Sequence, residues 1–252
     1  SQAVYGEGKY HCAADGVQYP SPRPTEQLEQ QDWSLRCPQC GAQLNMIESD
    51  EERVHPHNSY AMSKNTQEMI AFLLGRRYDI PSVALRYSIV QGARQSFRNA
   101  YSGVLRIFAM QLLAAKRPTV YEDGEQIRDY VYVGDVARAN LMALEDARAD
   151  FHAFNVGGGR QVTVNEFARI MAEVVGEPDV TPFCRGEYRF GDTRHISSDI
   201  GRLAELGWQP IGTAERAVAE YLEWAQKQAD FGDYATQARE NMRKLGTVRG
   251  GW

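Results

Sequence analysis

Tyr60-Ala61-Met62-Ser63-Lys64 opens the stretch that decides the fold. From Ser59 to Arg77 the composition is helix-forming, with Met62, Met69, Ile70, Leu73 and Leu74 available to a buried face, and Val83 to Val90 is a β-branched run suited to a buried strand. Helix followed by strand predicts an α/β sheet. Within the opening pentapeptide a phenol and an ammonium stand four residues apart, which on a helix places both on one face and lets the cation favour the phenolate. Such a tyrosine can exchange protons near neutrality. Tyr5-Gly6-Glu7-Gly8-Lys9 repeats the spacing, but its two glycines disfavour a helix, so that pair need not meet. By spacing alone Tyr60 also reads as an ordinary surface residue of a first helical turn, and the other segments decide between the two.

Further along, Val131-Tyr132-Val133 reads as a short strand and Asp135 as the N-cap of a helix running to about Leu144. Thr163 and Glu166 form a capping box, after which Phe167, Ile170, Met171, Val174 and Val175 share one helical face and Gly176 supplies the stop. A last helix is predicted from Thr213 to about Gln228, followed by a tail whose Gly246, Gly250 and Gly251 suggest a frayed end. The segment from about Lys9 to Arg53 is rich in Pro, Gln and acidic residues without a lasting period. It reads as a long excursion or a small insert.

The 252 residues are 43% apolar and 24% charged, enough for one or two ordinary cores, which excludes a disordered or fibrous chain. With 28 Lys and Arg against 33 Asp and Glu scattered along the chain, a nucleic-acid or anionic-membrane footprint is not expected, while local arginine clusters leave room for small acidic ligands. No apolar run approaches the roughly 20 residues of a membrane span, and Ser1 to Tyr10 does not resemble a signal peptide, so a cytoplasmic protein is expected. Four cysteines, three of them in the first 40 residues, are too few and too clustered for a disulfide scaffold. The chain opens without Met and without a leading element, which suggests a segment missing upstream.

The order of Ser1-Gln2-Ala3-Val4-Tyr5-Gly6, Tyr60-Ala61-Met62-Ser63-Lys64, Leu85-Arg86-Tyr87, Arg128-Asp129-Tyr130-Val131-Tyr132-Val133-Gly134-Asp135-Val136 and Phe154-Asn155-Val156-Gly157 closely resembles the extended short-chain dehydrogenase/reductase family of nucleotide-sugar epimerases and dehydratases. Arg189-Phe190-Gly191-Asp192 and the run to Trp208 fit as well, so the resemblance covers Ser1 to about Gln228. It implies part of a Rossmann-type doubly wound parallel sheet that binds NAD, beside a smaller α/β domain that grips a nucleotide-diphosphate sugar. Residues 1–92 would form the C-terminal part of the NAD domain with an insert at about 9–53. Residues 93–252 would be mainly the substrate domain, with about 127–148 packing back on the first part. By motif position Ser1 hydrogen-bonds the reacting sugar hydroxyl, Tyr60 removes its proton, and Lys64 tunes Tyr60 and holds the nicotinamide ribose. A free tyrosine, with a pKa near ~10, is mostly neutral at pH 7, and the neighbouring ammonium and positive nicotinamide bring it closer to the operating range. Arg128 and Arg189 fall where the family binds the diphosphate, a role that suits the planar fork of arginine. Arg94 and Arg98 either line the substrate cleft or belong to a solvated loop. The implied assembly is a homodimer paired through the Tyr60 helix.

Two departures qualify the resemblance. No glycine-rich turn joins a first strand to a first helix, as a dinucleotide site needs, and Gly157-Gly158-Gly159 matches a later turn of the family instead. An N-terminal truncation, with Ser1 at the end of a middle strand, accounts for this. Ser88-Ile89 stands where galactose epimerases commonly carry Phe-Asn, so a sugar other than galactose is expected.

The insert carries His11-Cys12-Ala13-Ala14-Asp15 and Cys37-Pro38-Gln39-Cys40-Gly41, two knuckle-like turns suited to a tetrahedral structural zinc held by Cys12, Cys37, Cys40 and a fourth ligand. It resembles the insert of bacterial thymidine-diphosphate rhamnose 4-epimerase-like proteins, in which Asp15 would stand at a histidine ligand. Asp15 or His11 could complete the set, and reduced cysteines in a flexible loop are the other reading. Cys184 is expected as a small buried apolar residue. A 4,6-dehydratase calls for carboxylates beside the active-site Ser or Thr, where this chain has Gln2 and Ala3. The expected function is therefore C4 epimerisation of a nucleotide-diphosphate (6-deoxy)hexose through a transient 4-keto sugar. Dehydration, or an inactive sugar-nucleotide-binding fragment without the pyrophosphate loop, are the alternatives.

Overall fold

Parallel strand pairs set the frame of the computed structural model, which describes residues 1–96, 103–228 and 234–251. A 3-10 turn (Gln2–Tyr5) leads to β1 (Lys9–Cys12), β2 (Gly16–Gln18), α1 (Thr25–Glu29), β3 (Asn45–Ile47), α2 (Ser59–Tyr78), β4 (Ala84–Tyr87) and β5 (Ile89–Gln91). Then follow α3 (Val104–Leu113), β6 (Thr119–Val120), β7 (Ile127–Tyr132), α4 (Val133–Glu145), β8 (Ala153–Val156), β9 (Gln161–Thr163) and α5 (Val164–Val175). The chain closes with β10 (Phe183–Cys184), β11 (Glu187–Arg189), α6 (Gly201–Glu205), α7 (Ala214–Gln226), α8 (Tyr234–Lys244) and β12 (Val248–Gly250). The expected α/β architecture with parallel pairing is what forms. Among the described residues no helix is long and apolar enough to cross a membrane.

The run Val83 to Val90 becomes two strands. β4 pairs in parallel with β8, and β5 in parallel with β7, which β9 flanks on the other side antiparallel. The switch of partner falls at Ser88, whose hydroxyl donates to Asp129 Oδ2 at 2.7 Å. Asp129 also accepts the Gly158 N–H at 2.6 Å and the Ser198 N–H at 3.3 Å, and burial pushes its carboxyl above the usual range. Gly157 and Gly158 belong to this junction. A Cβ on Gly157 would stand 2.3 Å from Asp129 Oδ2, and one on Gly158 1.9 Å from the Tyr130 carbonyl oxygen, so close backbone approach requires both glycines.

Because side chains alternate along a strand, β7 serves two cores at once. Tyr130 stacks on Phe167, with ring centroids 4.2 Å apart, in a cluster with Leu105, Phe108, Met171 and Tyr221. Val131, on the other face, packs with Val136, Phe154, Val156, Leu203 and Trp208. The helix cap at Thr163 forms as expected, its hydroxyl accepting the Glu166 N–H at 3.0 Å, and Gly176 ends α5 in the left-handed region. The Glu166 carboxylate does not complete the box, since it pairs with Arg160.

Four expectations are corrected. α4 starts at Val133 with Tyr132 as N-cap, and the carboxylate of Asp135 instead accepts the N–H groups of Ile211 and Gly212, at 3.1 and 2.8 Å, tying in the loop before α7. Met62, Met69, Ile70, Leu73 and Leu74 are exposed, because only Ala61 and Gly75 of α2 are buried against the described residues. Cys184 is exposed on the two-stranded β6–β10 edge. The glycine-bearing tail is not frayed: β12 pairs antiparallel with β11, matching Tyr188 to Arg249. The excursion at 9–53 is a built unit, a sheet in the order β2-β1-β3 over Tyr10, Cys12, Leu35, Cys37 and Leu44. Arg23 joins it to the rest through a two-pronged pair with buried Glu122, both contacts at 2.9 Å.

Candidate active site

α2 begins where it does because Asn58 caps it, its side-chain oxygen accepting the Ala61 N–H at 2.8 Å. Tyr60 and Lys64 therefore lie one turn apart on one face, with Lys64 Nζ 5.6 Å from the centroid of the Tyr60 ring. Among the described residues Lys64 donates one hydrogen bond, to Gln67 Oε1 at 3.2 Å, and Tyr60 is 57% exposed. An ammonium has three donors, so two remain for a ligand. α2 packs on the 3-10 turn capped by Ser1, whose hydroxyl accepts the Ala3 N–H at 3.4 Å. Ser1, Tyr60 and Lys64 thus belong to two elements in direct contact.

A buried network holds those elements. Arg86 on β4 pairs with Glu68 on α2 at 2.8 Å and donates to the Tyr5 hydroxyl and the Glu51 carbonyl, both at 3.0 Å. The Tyr5 hydroxyl donates to Asn155 Oδ1 on β8 at 2.6 Å. Burial pushes Tyr5 up to about 12, outweighing the opposing effect of Arg86, so this phenol stays neutral and structural. Gly6 closes the turn at φ 60°, and a Cβ there would come within 2.3 Å of the His55 carbonyl oxygen.

A cavity of about 400 Å³, of the size used by small ligands, lies beside β7. Val104, Ile107, Phe108 and Tyr130 give it an apolar wall, and Arg128, Arg189, Asp192, Arg239 and Arg243 a charged one. Arg189 Nε stands 3.8 Å from Asp192 Oδ2. Arg128 donates to the carbonyls of Ile127, Arg194 and Thr193 at 2.9 to 3.0 Å, so it braces the 193–194 loop as well as lining the cavity. Arg94 is exposed at φ 69° and does not line it, and Arg98 lies outside the described residues. The sequence reading missed Arg239, Arg243 and Asp129. The i, i+4 arginine pair was legible, but its place beside Arg189 depends on the pairing of β12 with β11.

In the insert, the ligand atoms of Cys12, Asp15, Cys37 and Cys40 all lie within 4.8 Å of one another. Cys12 Sγ is 3.5 Å from Cys40 Sγ, and Asp15 Oδ2 is 3.2 Å from Cys37 Sγ. With arms of about 2.3 Å, the edge of a tetrahedral zinc site is roughly 3.8 Å, so the donor set and its spacing fit zinc.

Residues 39–157 match the model of the NAD dependent epimerase/dehydratase family. The chain is 32% identical over 231 residues to the dTDP-L-rhamnose 4-epimerase of Burkholderia thailandensis, covering 91% of this chain and 62% of that protein. It is 33% identical to the UDP-glucose 4-epimerase of Mycolicibacterium smegmatis, over 70% of this chain and 55% of the relative. Among solved structures, the Thermotoga maritima UDP-glucose 4-epimerase with UDP-glucose aligns with a TM-score of 0.65 at 35% identity, over 73% of this chain and 58% of that one. The Thermus thermophilus UDP-glucose 4-epimerase complex with NAD aligns at 0.64 and 29%, over 78% and 61%. The chain therefore spans less than two thirds of the length of these relatives.

Proposed function

We propose that the protein epimerises a nucleotide-diphosphate (6-deoxy)hexose at C4 through a transient 4-keto sugar, using NAD. The observation that carries this reading is the Tyr60–Lys64 pair, open to a ligand, on a helix that packs on the turn capped by Ser1. The free donors of Lys64 suit the ribose at the nicotinamide end of NAD. A glycine-rich pyrophosphate loop is not among these 252 residues. When bound, NAD supplies the acceptor and donor of the hydride.

The chain's own residues handle the proton. The Ser1 hydroxyl orients the sugar hydroxyl, and the Tyr60 oxygen takes its proton and later returns it to the 4-oxygen after the sugar presents its other face. Gln2 and Ala3 offer no carboxylate to drive loss of water. Arg189 and Arg128 hold the diphosphate. Residues 1–92 serve the cofactor side and 93–252 mainly the sugar nucleotide. The kinship with a dTDP-L-rhamnose 4-epimerase supports a thymidine-diphosphate 6-deoxyhexose. The uncovered apolar face of α2 is the surface for a homodimer, and reduced cysteines suit a reducing compartment such as the cytoplasm.

The test gives the protein in its longest form NAD and a thymidine-diphosphate 6-deoxyhexose and follows products by NMR. Interconversion of C4 epimers is expected, with Tyr60→Phe abolishing turnover while sugar-nucleotide binding persists. A stable 4-keto-6-deoxy product from a 6-hydroxy sugar nucleotide, or no reaction across a panel of sugars, overturns the proposal. The Cys12, Asp15, Cys37 and Cys40 cluster is proposed to hold one structural zinc, all four positions being filled by protein. Elemental analysis should find near one equivalent. Its absence, with unchanged stability of Cys37→Ser and Cys40→Ser, overturns that assignment.

A further inference from the structure

The end of the chain builds part of the cavity wall. β12 pairs antiparallel with β11, Arg189 facing Val248 in the register, and the Phe190 N–H donates to the Thr247 carbonyl at 3.0 Å. This pairing fastens α8 to the strand that carries Arg189. From α8, Arg239 and Arg243, four residues apart and so on one face, line the cavity together with Glu240 and Met242.

Both guanidinium groups pair with Glu187, which is fully buried. Glu187 and Arg189 alternate on β11 and so project to the same face. A buried carboxylate between two arginines fixes their heads and leaves most of their five donors each for a further partner. One such donor is in place: Arg239 Nε is buried and has no hydrogen-bond partner among the described residues. With Arg128 and Arg189, the cavity lining carries four guanidinium groups against the carboxylates of Asp192 and Glu240, with Glu187 buried behind two of them, an excess of one positive charge. That excess of rigid, forked donors fits an anion with several oxygens.

We propose that α8 and β12 form a phosphate clamp, in which Arg239 and Arg243, positioned by Glu187, bind the diphosphate of the nucleotide alongside Arg128 and Arg189. The inference rests on the reading of this cavity as the sugar-nucleotide site. It adds the C-terminal helix as a binding element and makes affinity depend on the second phosphate.

The test is titration calorimetry of the full chain with thymidine diphosphate and thymidine monophosphate. Arg239→Ala and Arg243→Ala should each weaken diphosphate binding about tenfold or more, and monophosphate binding much less. Arg239→Lys, which keeps the charge and the pair with Glu187 but loses the fork, should fall between. Variants that bind the diphosphate as tightly as the parent, or lose both nucleotides equally, overturn the clamp while leaving the cavity assignment standing. A parent chain that binds neither nucleotide overturns the cavity assignment, and the clamp with it.

Discussion

Replacing Arg86 with Met should remove the fastening between α2, the Ser1 turn and the sheet. The guanidinium touches Glu68, the Tyr5 hydroxyl and the Glu51 carbonyl, and the side chains of Arg86 and Glu68 are only 7% and 11% exposed. Methionine matches much of the volume, so the loss is mainly electrostatic. It leaves a nearly buried carboxylate without its counter-charge, a change that costs about 3–5 kcal/mol. For a chain of this size that corresponds to a fall in melting temperature of roughly 6–20 °C. Thermal unfolding followed by circular dichroism, with urea titration for the free energy, measures it. The double variant Arg86→Met with Glu68→Met removes both charges and should recover much of the loss, since an apolar pair can replace a buried ion pair at little cost. A loss under about 1 kcal/mol in the single variant, or a double variant less stable than the single one, would refute the argument that the buried pair holds these elements together.

Three further outcomes are expected. Gly158→Ala should destabilise by about 3 kcal/mol, because its Cβ would meet the Tyr130 carbonyl and backbone must move; a urea midpoint equal to the parent's contradicts this. The His195 ring, whose Nδ1 accepts the Ile127 N–H at 3.1 Å, has its pKa lowered to about 4, chiefly by burial and then by Arg194 and Arg128. The unfolded ring takes its proton near pH ~6.5, so stability should be greatest above that value and fall as the pH drops toward 4, on the order of 2 kcal/mol for this part-exposed ring. His195→Asn should flatten that slope, and an equal slope in both proteins would rule His195 out. NAD should bind these 252 residues weakly, since they lack a glycine-rich turn to receive the pyrophosphate, and micromolar affinity by calorimetry would disprove it.

Local chemistry made much of the molecule readable from sequence. The helix that Asn58 caps is legible without its cap, because a helix-forming stretch with Tyr60 and Lys64 four apart carries its own geometry. Thr163, the apolar face after it and Gly176 likewise specify α5 with no help from distant residues. The α/β class and the Tyr60–Lys64 spacing were within reach for the same reason, each depending on neighbours within a turn or along a strand, whereas the parallel sheet came only with the family resemblance.

What needed the folded chain is every feature that joins distant segments. Asp135 reads as a helix cap, but its carboxylate is taken by backbone N–H groups of Ile211 and Gly212. Ser88 reads as part of one strand, and a hydrogen bond to Asp129 divides that strand between two neighbours. The apolar residues of α2 were legible as a hydrophobic face, whereas whether anything covers that face depends on which layers pack there. Arg239 and Arg243 fall beyond the last helix expected from sequence, in the tail read as frayed, where the structure forms α8. The pairing of β12 with β11 and the packing of α8 on α3 bring them to Glu187 and the cavity, because residues about 50 positions apart meet through strand register and burial, neither of which a local pattern encodes.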